Sequence, residues 1–106
     1  MDDAYRRYEV LLPLQFNDGS PVPEQLIAET LHELKQKFGA VSRESQTIEG
    51  RGTHQGHTYS DDLVRIFVDV TDVPENRRFF QDFKQRLKAR FAQLEIWVTT
   101  HPVEVL

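Results

Sequence analysis

The alternation of apolar and polar positions is strongest over residues 63–70, LVRIFVDV, which are mostly β-branched or aromatic and include no glycine or proline. Its even-numbered positions are all aliphatic, whereas its odd-numbered positions mix large apolar groups with charge. Successive side chains of a strand point to opposite faces of the sheet. We therefore predict a central strand with one face against helices and the other only partly covered.

Three further segments of the chain indicate strands. Residues 8–16 are apolar at every even position, but Pro13 cannot donate to a ladder and predicts a break in pairing. Residues 95–100 form the last strand, which we expect Pro102 to break. Residues 40–49 are extended but polar, as is typical of an edge strand. The three glycines of residues 50–56 predict a flexible hairpin connection.

Two helices are predicted between these strands. The first follows an N-D-G turn at residues 17–19, has Pro23 at its start and ends before Gly39, which suits a left-handed C-terminal position. The second begins with Asp72 and Glu75 in the spacing of a capping box, and its aromatic side chains should anchor the core. The predicted buried positions are Leu26, Ile27, Leu31, Leu34 and Phe38, then Phe80, Phe83, Leu87, Phe91 and Leu94.

The order of elements is strand–helix–strand–strand–helix–strand within one domain that covers residues 1–106. Right-handed crossovers place both helices on the same side of the sheet. We predict a ferredoxin-like α+β sandwich with an antiparallel sheet of order 4-1-3-2 and two helices on one face.

The composition excludes several classes of chemistry. With no cysteine, the chain has no disulfide, thiolate metal site, iron–sulfur cluster or cysteine nucleophile. No apolar run approaches the roughly 20 residues that span a bilayer, and the first residues lack the apolar core of a signal peptide. We expect a cytoplasmic protein that does not bind membranes. The net charge of −4 disfavours non-specific nucleic-acid binding.

The charge is unevenly distributed along the chain. Residues 75–92 contain six basic and two acidic side chains, whereas the whole chain is acidic. Such a segment is usually a solvated helix face. The alternative is a surface for an acidic partner, contacted through Arg77, Lys84 and Lys88.

An apolar and aromatic patch is expected on the face of the sheet that the helices leave open, and such patches mark interaction surfaces. Three explanations remain: a second copy of the chain covers the patch through the sheet face or edge, residues 103–106 or 50–56 fold back over it, or it stacks RNA bases. The central strand lacks the RNA-recognition consensus, which disfavours the third. The candidate binding residues are Leu11, Tyr59, Arg65, Phe67, Trp97 and His101.

Candidates for catalysis or metal binding are weak. His54 and His57 form an H-x-x-H pair near Asp61 and Asp62, which is compatible with a divalent metal but is also ordinary in a polar hairpin. No spacing brings two carboxylates together, and no nucleotide-binding or nucleophile motif occurs. We expect no cofactor.

The ordered segments LLPLQFNDGSPVP, KFGAVSRESQTIEG, YSDDLVRIFVDV and PENRRFFQDFKQRL resemble those of a family of small bacterial proteins without an assigned activity. The likeness covers nearly the whole chain and implies one compact domain, but no catalytic residue. Our main hypothesis is a non-catalytic binding or self-associating module, for example a homodimer. The alternative is a small enzyme of the dimeric α+β barrel type, with a pocket between sheet and helices lined by Tyr59, Phe67, Trp97 and His101.

Overall fold

The computed structural model describes residues 3–44 and 46–106, except for the side chains of residues 54 and 57–60. Within this part of the chain, two helices pack on one antiparallel sheet. In chain order the elements are β1 (Tyr5–Pro13), α1 (Glu24–Phe38), β2 (Ser42–Arg43), β3 (Ile48–His54), β4 (His57–Thr71), α2 (Pro74–Arg90) and β5 (Trp97–Val103).

The sheet confirms the predicted order and fold class. Its strands run β2-β4-β1-β5, and β3 also pairs with β4. β2 and β3 together replace the predicted second strand, so the order corresponds to 4-1-3-2. Both helices contribute to the core cluster with the even-numbered side chains of β1 and β4. The molecule is therefore a two-layer ferredoxin-like α+β sandwich with helices on one face.

The edge formed by β2 and β3 differs from the prediction. Arg43 is opposite Ile66, but Ile48 is opposite Leu63, so the register shifts by two residues between the two strands. Residues 50–56 are not a flexible connection: most belong to β3, and the turn consists of Gln55 and Gly56, both with positive φ. β4 consequently begins at residue 57, six residues earlier than expected, because a two-residue turn lets the ladder continue.

Aromatic rings fill the space between helices and sheet. Tyr8 of β1 stacks on Phe80 of α2 with ring centroids 4.1 Å apart, and Phe38 of α1 stacks on the same ring at 5.5 Å. Phe83 and Phe91 are fully buried beside them. This confirms that the second helix anchors the core, although Leu94 lies beyond the end of α2 and is 73% exposed rather than buried.

The turns around α1 form as predicted. Gly19 has a φ of 86° and donates its N–H to the Phe16 carbonyl, which closes the N-D-G turn. Gly39 has a φ of 85° and donates to the Lys35 carbonyl at 2.8 Å, which ends the helix. Both positions use the left-handed conformation that glycine adopts at low cost.

The start of α2 is held differently from the predicted capping box. Among the described residues no side chain caps its first turn. The Asp72 carboxylate instead lies 3.2 Å from Arg6 Nε, on the neighbouring strand β1. Asn76 stabilises the loop between β4 and α2 by donating its side-chain N–H to the Thr71 carbonyl at 2.8 Å. A tertiary partner has therefore replaced the local contact that the sequence spacing indicates.

The prolines of β1 and β5 lie at different places in their strands. β1 starts at Tyr5 and ends at Pro13, where its pairing with β5 has stopped, but Pro13 is still opposite Leu63 of β4, so the ladder with β4 shows no break there. β5 continues through Pro102 as far as Val103, so that the predicted break at Pro102 is wrong. An edge strand tolerates proline because its outward N–H groups need no partner within the sheet. Beyond β5, Val105 is 65% exposed, so these residues do not cover the sheet.

Candidate functional site

The odd-numbered residues of β1, β4 and β5 share the face of the sheet opposite the helices, which we call the open face. In register, Leu11 lies between Arg65 and Trp97. The same pairing aligns the residues of the next rows as follows: Glu9 with Phe67 and Thr99, Arg7 with Asp69 and His101, and Tyr5 with Thr71 and Val103. The open face therefore mixes apolar and charged side chains within the same rows.

An arginine and a phenylalanine form the centre of this face. The guanidinium of Arg7 donates two hydrogen bonds to Asp69, at 2.8 and 3.0 Å. These hydrogen bonds raise the pKa of Arg7 above its usual value. The same guanidinium carbon lies 4.2 Å from the centroid of the Phe67 ring, within the range of a cation–π interaction. The Phe67 ring, which we expected to form part of an apolar patch, is thus half-buried under this cation.

A second arginine connects the centre to the β2 edge. Arg65 Nη1 lies 3.2 Å from Glu44 Oε1, and Arg65 Nε lies 3.7 Å from Glu9 Oε2. That Nε atom is buried and has no hydrogen-bond partner among the described residues. Arg65 is therefore shared between two carboxylates, with one donor left unused.

Trp97 is the largest exposed apolar side chain of this face. It is 61% exposed at the first position of the edge strand β5. It lines a shallow cleft of about 140 Å³ at the end of the sheet. The other lining residues are Leu11, Pro13, Asp61, Leu63, Gln93, Glu95 and Ile96. The cleft combines an apolar floor with two acidic residues on its rim.

The structure brings together most of the binding residues named from the sequence. Arg65, Phe67, Trp97 and His101 lie on the open face, as does Leu11. The side chain of Tyr59 lies outside the described residues. Phe67, Trp97 and His101 do not line a pocket between sheet and helices, because that space belongs to the even-numbered residues of the same strands.

Sequence reasoning missed the charged members of this face, namely Arg7, Glu9, Glu44 and the true partner of Asp69. Asp69 binds Arg7, which lies opposite it on β1. Charge at position 7 is visible in the sequence, whereas its pairing depends on the register between β1 and β4. The surface that we expected to be apolar therefore combines ion pairs with aromatic rings.

The metal and carboxylate candidates do not assemble a centre in the described part of the chain, where no group of three or more His, Asp or Glu side chains could hold an ion. His54 and His57 are opposite each other in the hairpin ladder, but their side chains lie outside the described residues. The Asp18 carboxylate accepts hydrogen bonds from Ser20, which lower its pKa. It therefore serves the turn before α1.

Three of the six basic side chains of α2 form ion pairs among the described residues. Arg86 and Arg90 both bind Glu33 of α1, and the Lys84 ammonium lies 2.9 Å from Glu95. Burial alone raises the pKa of Glu33, but the hydrogen bonds from the two arginines outweigh it and leave the pKa lowered. Among the described residues, Arg77 and Arg78 of this helix have no acidic partner. The surface for an acidic partner is accordingly smaller than the charge count suggests.

A two-layer ferredoxin-like sandwich with one open, ion-paired sheet face is the class that this architecture defines. In the part of the chain that the structure describes, no helix is long and apolar enough to cross a membrane. No family model and no curated protein matches the chain.

Solved structures share this fold at low sequence identity. A phage SAM lyase in complex with S-methyl-5'-thioadenosine matches with a TM-score of 0.71 and 13% identity, covering 99% of this chain and 93% of that one. The divalent cation tolerance protein CutA1 of Thermus thermophilus has a TM-score of 0.64 and 14% identity, with 95% and 85% covered. The GlnK–ATP complex of B. subtilis has a TM-score of 0.57 and 10% identity, with 97% and 84% covered. At these identities the likeness shows the fold.

Proposed function

We propose that the protein is a small cytoplasmic self-associating module without catalysis of its own, which binds a second copy of itself through the open face. The observation that carries this proposal is Trp97, the one tryptophan of the chain, which is 61% exposed beside Leu11 and Leu63. Large exposed aromatic side chains next to apolar neighbours are typical of the centres of protein interfaces. Among the described residues, neither the C-terminal tail nor the hairpin covers this surface.

The charges of the open face fit a second copy better than an unrelated partner. Arg7 and Arg65 alternate with Glu9, Glu44 and Asp69, so the surface presents both signs within a few ångströms. A surface of mixed sign can meet its own copy with opposite charges aligned. Because these side chains are already held by each other, association would order few additional side chains.

The oligomeric state of the full chain tests this proposal. We expect light scattering after gel filtration to give more than one copy at micromolar concentration. Trp97→Glu should shift the measured mass towards that of the monomer, because it places an unpaired charge in the interface. Leu94→Glu is the matched control: it adds the same charge at an equally exposed apolar side chain outside the sheet. A strictly monomeric wild-type chain would overturn the proposal.

An enzyme remains the second candidate, since one structural neighbour is a SAM lyase and two neighbours hold adenosine-type ligands, S-methyl-5'-thioadenosine and ATP. The cleft beside Trp97 measures about 140 Å³, which is smaller than the roughly 300 Å³ at which ligand pockets begin. A nucleoside there would need walls from a second copy. Thermal-shift assays with ATP and S-methyl-5'-thioadenosine test this candidate, and stabilisation that Trp97→Glu abolishes would support it.

A further inference from the structure

A second cleft lies where α2 meets the edge strand β5, on the helix-covered side of the sheet. Its lining residues are Tyr8, Arg77, Phe80, Gln81, Lys84, Val98, Thr99 and Thr100. Its volume is about 120 Å³. Since a water molecule occupies about 30 Å³ in the liquid, this space corresponds to about four waters. The cleft is therefore large enough for a phosphate-sized group, but too small to enclose a nucleotide.

The wall on the side of β1 contains a buried hydroxyl without a partner. Tyr8 is 3% exposed, and its ring is held by stacking on Phe80. Its hydroxyl has no hydrogen-bond partner among the described residues. Buried polar groups in native proteins are nearly always paired with a protein group, an ordered water or a bound ion. Tyr8 thus brings an unused hydrogen-bond donor to the cleft lining.

The helix wall of the cleft is positively charged. Arg77 and Lys84 lie two helical turns apart on the same side of α2, and Gln81 lies between them. Among the described residues, the side chains of Arg77 and Gln81 have no hydrogen-bond or ion-pair partner, so their side-chain donors are unused. None of the lining residues is acidic. The lining therefore carries two basic side chains and no acidic one.

Lys84 already holds an oxyanion from the same chain. Its ammonium lies 2.9 Å from the Glu95 carboxylate, which is 57% exposed, and this hydrogen bond lowers the pKa of Glu95. The contact with the exposed Glu95 carboxylate shows that the Lys84 ammonium can bind an anion. Glu95 would compete with an external anion for Lys84.

The third wall is the edge strand β5. Among the described strands it pairs with β1 alone, so alternate N–H groups along it face away from the sheet. Val98, Thr99 and Thr100 of this strand line the cleft, so its edge donors lie next to the basic helix wall. We propose that the cleft binds a phosphate-sized oxyanion, with Arg77 and Lys84 supplying positive charge and Tyr8 and the β5 backbone supplying neutral hydrogen bonds. The lining of this site shares no residue with the cleft beside Trp97, and the two clefts are connected through the contact between Lys84 and Glu95.

Titration of the ¹⁵N-labelled full chain with sodium phosphate, against sodium chloride at equal ionic strength, tests the site. We expect saturable shifts of the amide signals that line the cleft, and none with chloride. Arg77→Ala should weaken binding by about tenfold or more, because it removes charged hydrogen bonds. Arg78→Ala is the matched control, since Arg78 is the neighbouring free arginine and does not line the cleft. Equal losses in both variants would indicate diffuse attraction and overturn the proposal.

Two conservative variants separate binding from folding. Tyr8→Phe removes only the unpaired hydroxyl, so the fold should persist while phosphate binds several-fold more weakly and raises Tm less. Glu95→Gln should bind phosphate several-fold more tightly, because it releases Lys84. Unchanged affinity in both variants would contradict the proposed site. Glycerol 3-phosphate distinguishes the sources: binding as tight as inorganic phosphate indicates a phosphate monoester, whereas weaker binding indicates the free ion.

Discussion

The two faces of the central sheet are built from the same strands and achieve stability in different ways. On the helix side, Val64, Ile66 and Val68 of β4 are between 0% and 4% exposed and pack against aromatic rings. On the open side, the alternate residues of the same strand interact with charged groups and remain partly in water. One two-residue period along a strand therefore specifies both a core and an accessible surface.

The energies of the two faces differ in size. Burial of a large apolar side chain contributes about 1.5–3 kcal/mol, whereas a partly exposed ion pair contributes about 0.2–1 kcal/mol. The covered face should therefore determine whether the chain folds. The open face can be altered with a smaller loss of stability, which is what a binding surface requires.

The largest expected effect is in the covered face. Phe83 is fully buried in α2, and Phe83→Ala should lower the free energy of unfolding by about 3–5 kcal/mol, because it leaves a cavity in a packed core. Urea denaturation followed by circular dichroism measures this loss. Phe83→Leu is the control and should lose much less. A loss below about 1.5 kcal/mol for the alanine variant would contradict the assigned core.

The corresponding change on the open face should be smaller. Phe67→Ala removes a half-buried ring and its contact with the Arg7 guanidinium, and should cost about 1–2 kcal/mol. The same urea experiment, at the same protein concentration as the wild type, gives the value. If Phe67→Ala were as damaging as Phe83→Ala, the distinction between the two faces would fail.

Ion pairs also join the helices of the covered side, and they make stability depend on pH. The pKa of Glu33 is lowered in the folded chain relative to the unfolded value of about 4.3. Its contribution is therefore complete above that value and disappears as the pH falls through the folded pKa. Glu33→Gln should lose about 1 kcal/mol at neutral pH, since the pair with Arg86 and Arg90 is partly exposed.

The pH profile is the critical measurement for this variant. The difference in unfolding free energy between wild type and Glu33→Gln should narrow below about pH 4. Glu29→Gln on the same helix is the control, because the carboxylate of Glu29 has no cationic partner among the described residues. A difference that persists at low pH would show that Glu33 acts through packing instead of charge.

The smallest expected effect concerns the pair at the centre of the open face. A double-mutant cycle with Arg7→Ala and Asp69→Ala should give a coupling energy of about 0.2–1 kcal/mol, which decreases with added salt. Thermal denaturation of the wild type, the two single variants and the double variant at two salt concentrations measures this coupling energy. A coupling that is larger and insensitive to salt would show that the pair is shielded from water.

The sequence predicted elements where local chemistry decides, and missed positions where a distant partner decides. Gly39 ends α1 as expected because a left-handed residue is needed there whatever surrounds it. Asp72 did not cap α2 because Arg6, far away in the chain, binds its carboxylate. The predicted flexible connection at residues 50–56 was wrong for a related reason. Most of these residues form a strand because β4 provides their hydrogen-bonding partners.

By itself the sequence determined the order of the elements, the sheet topology and the residues that each face receives, because these follow from periodicity and from the short reach of turns. Only the tertiary structure decided how the charged residues of the open face pair, because the register that places Arg7 opposite Asp69 depends on residues far apart in the chain. The unpaired hydroxyl of Tyr8 likewise becomes visible only after α2 has packed on the sheet. Contacts of this kind depend on three-dimensional position, which the local pattern does not encode.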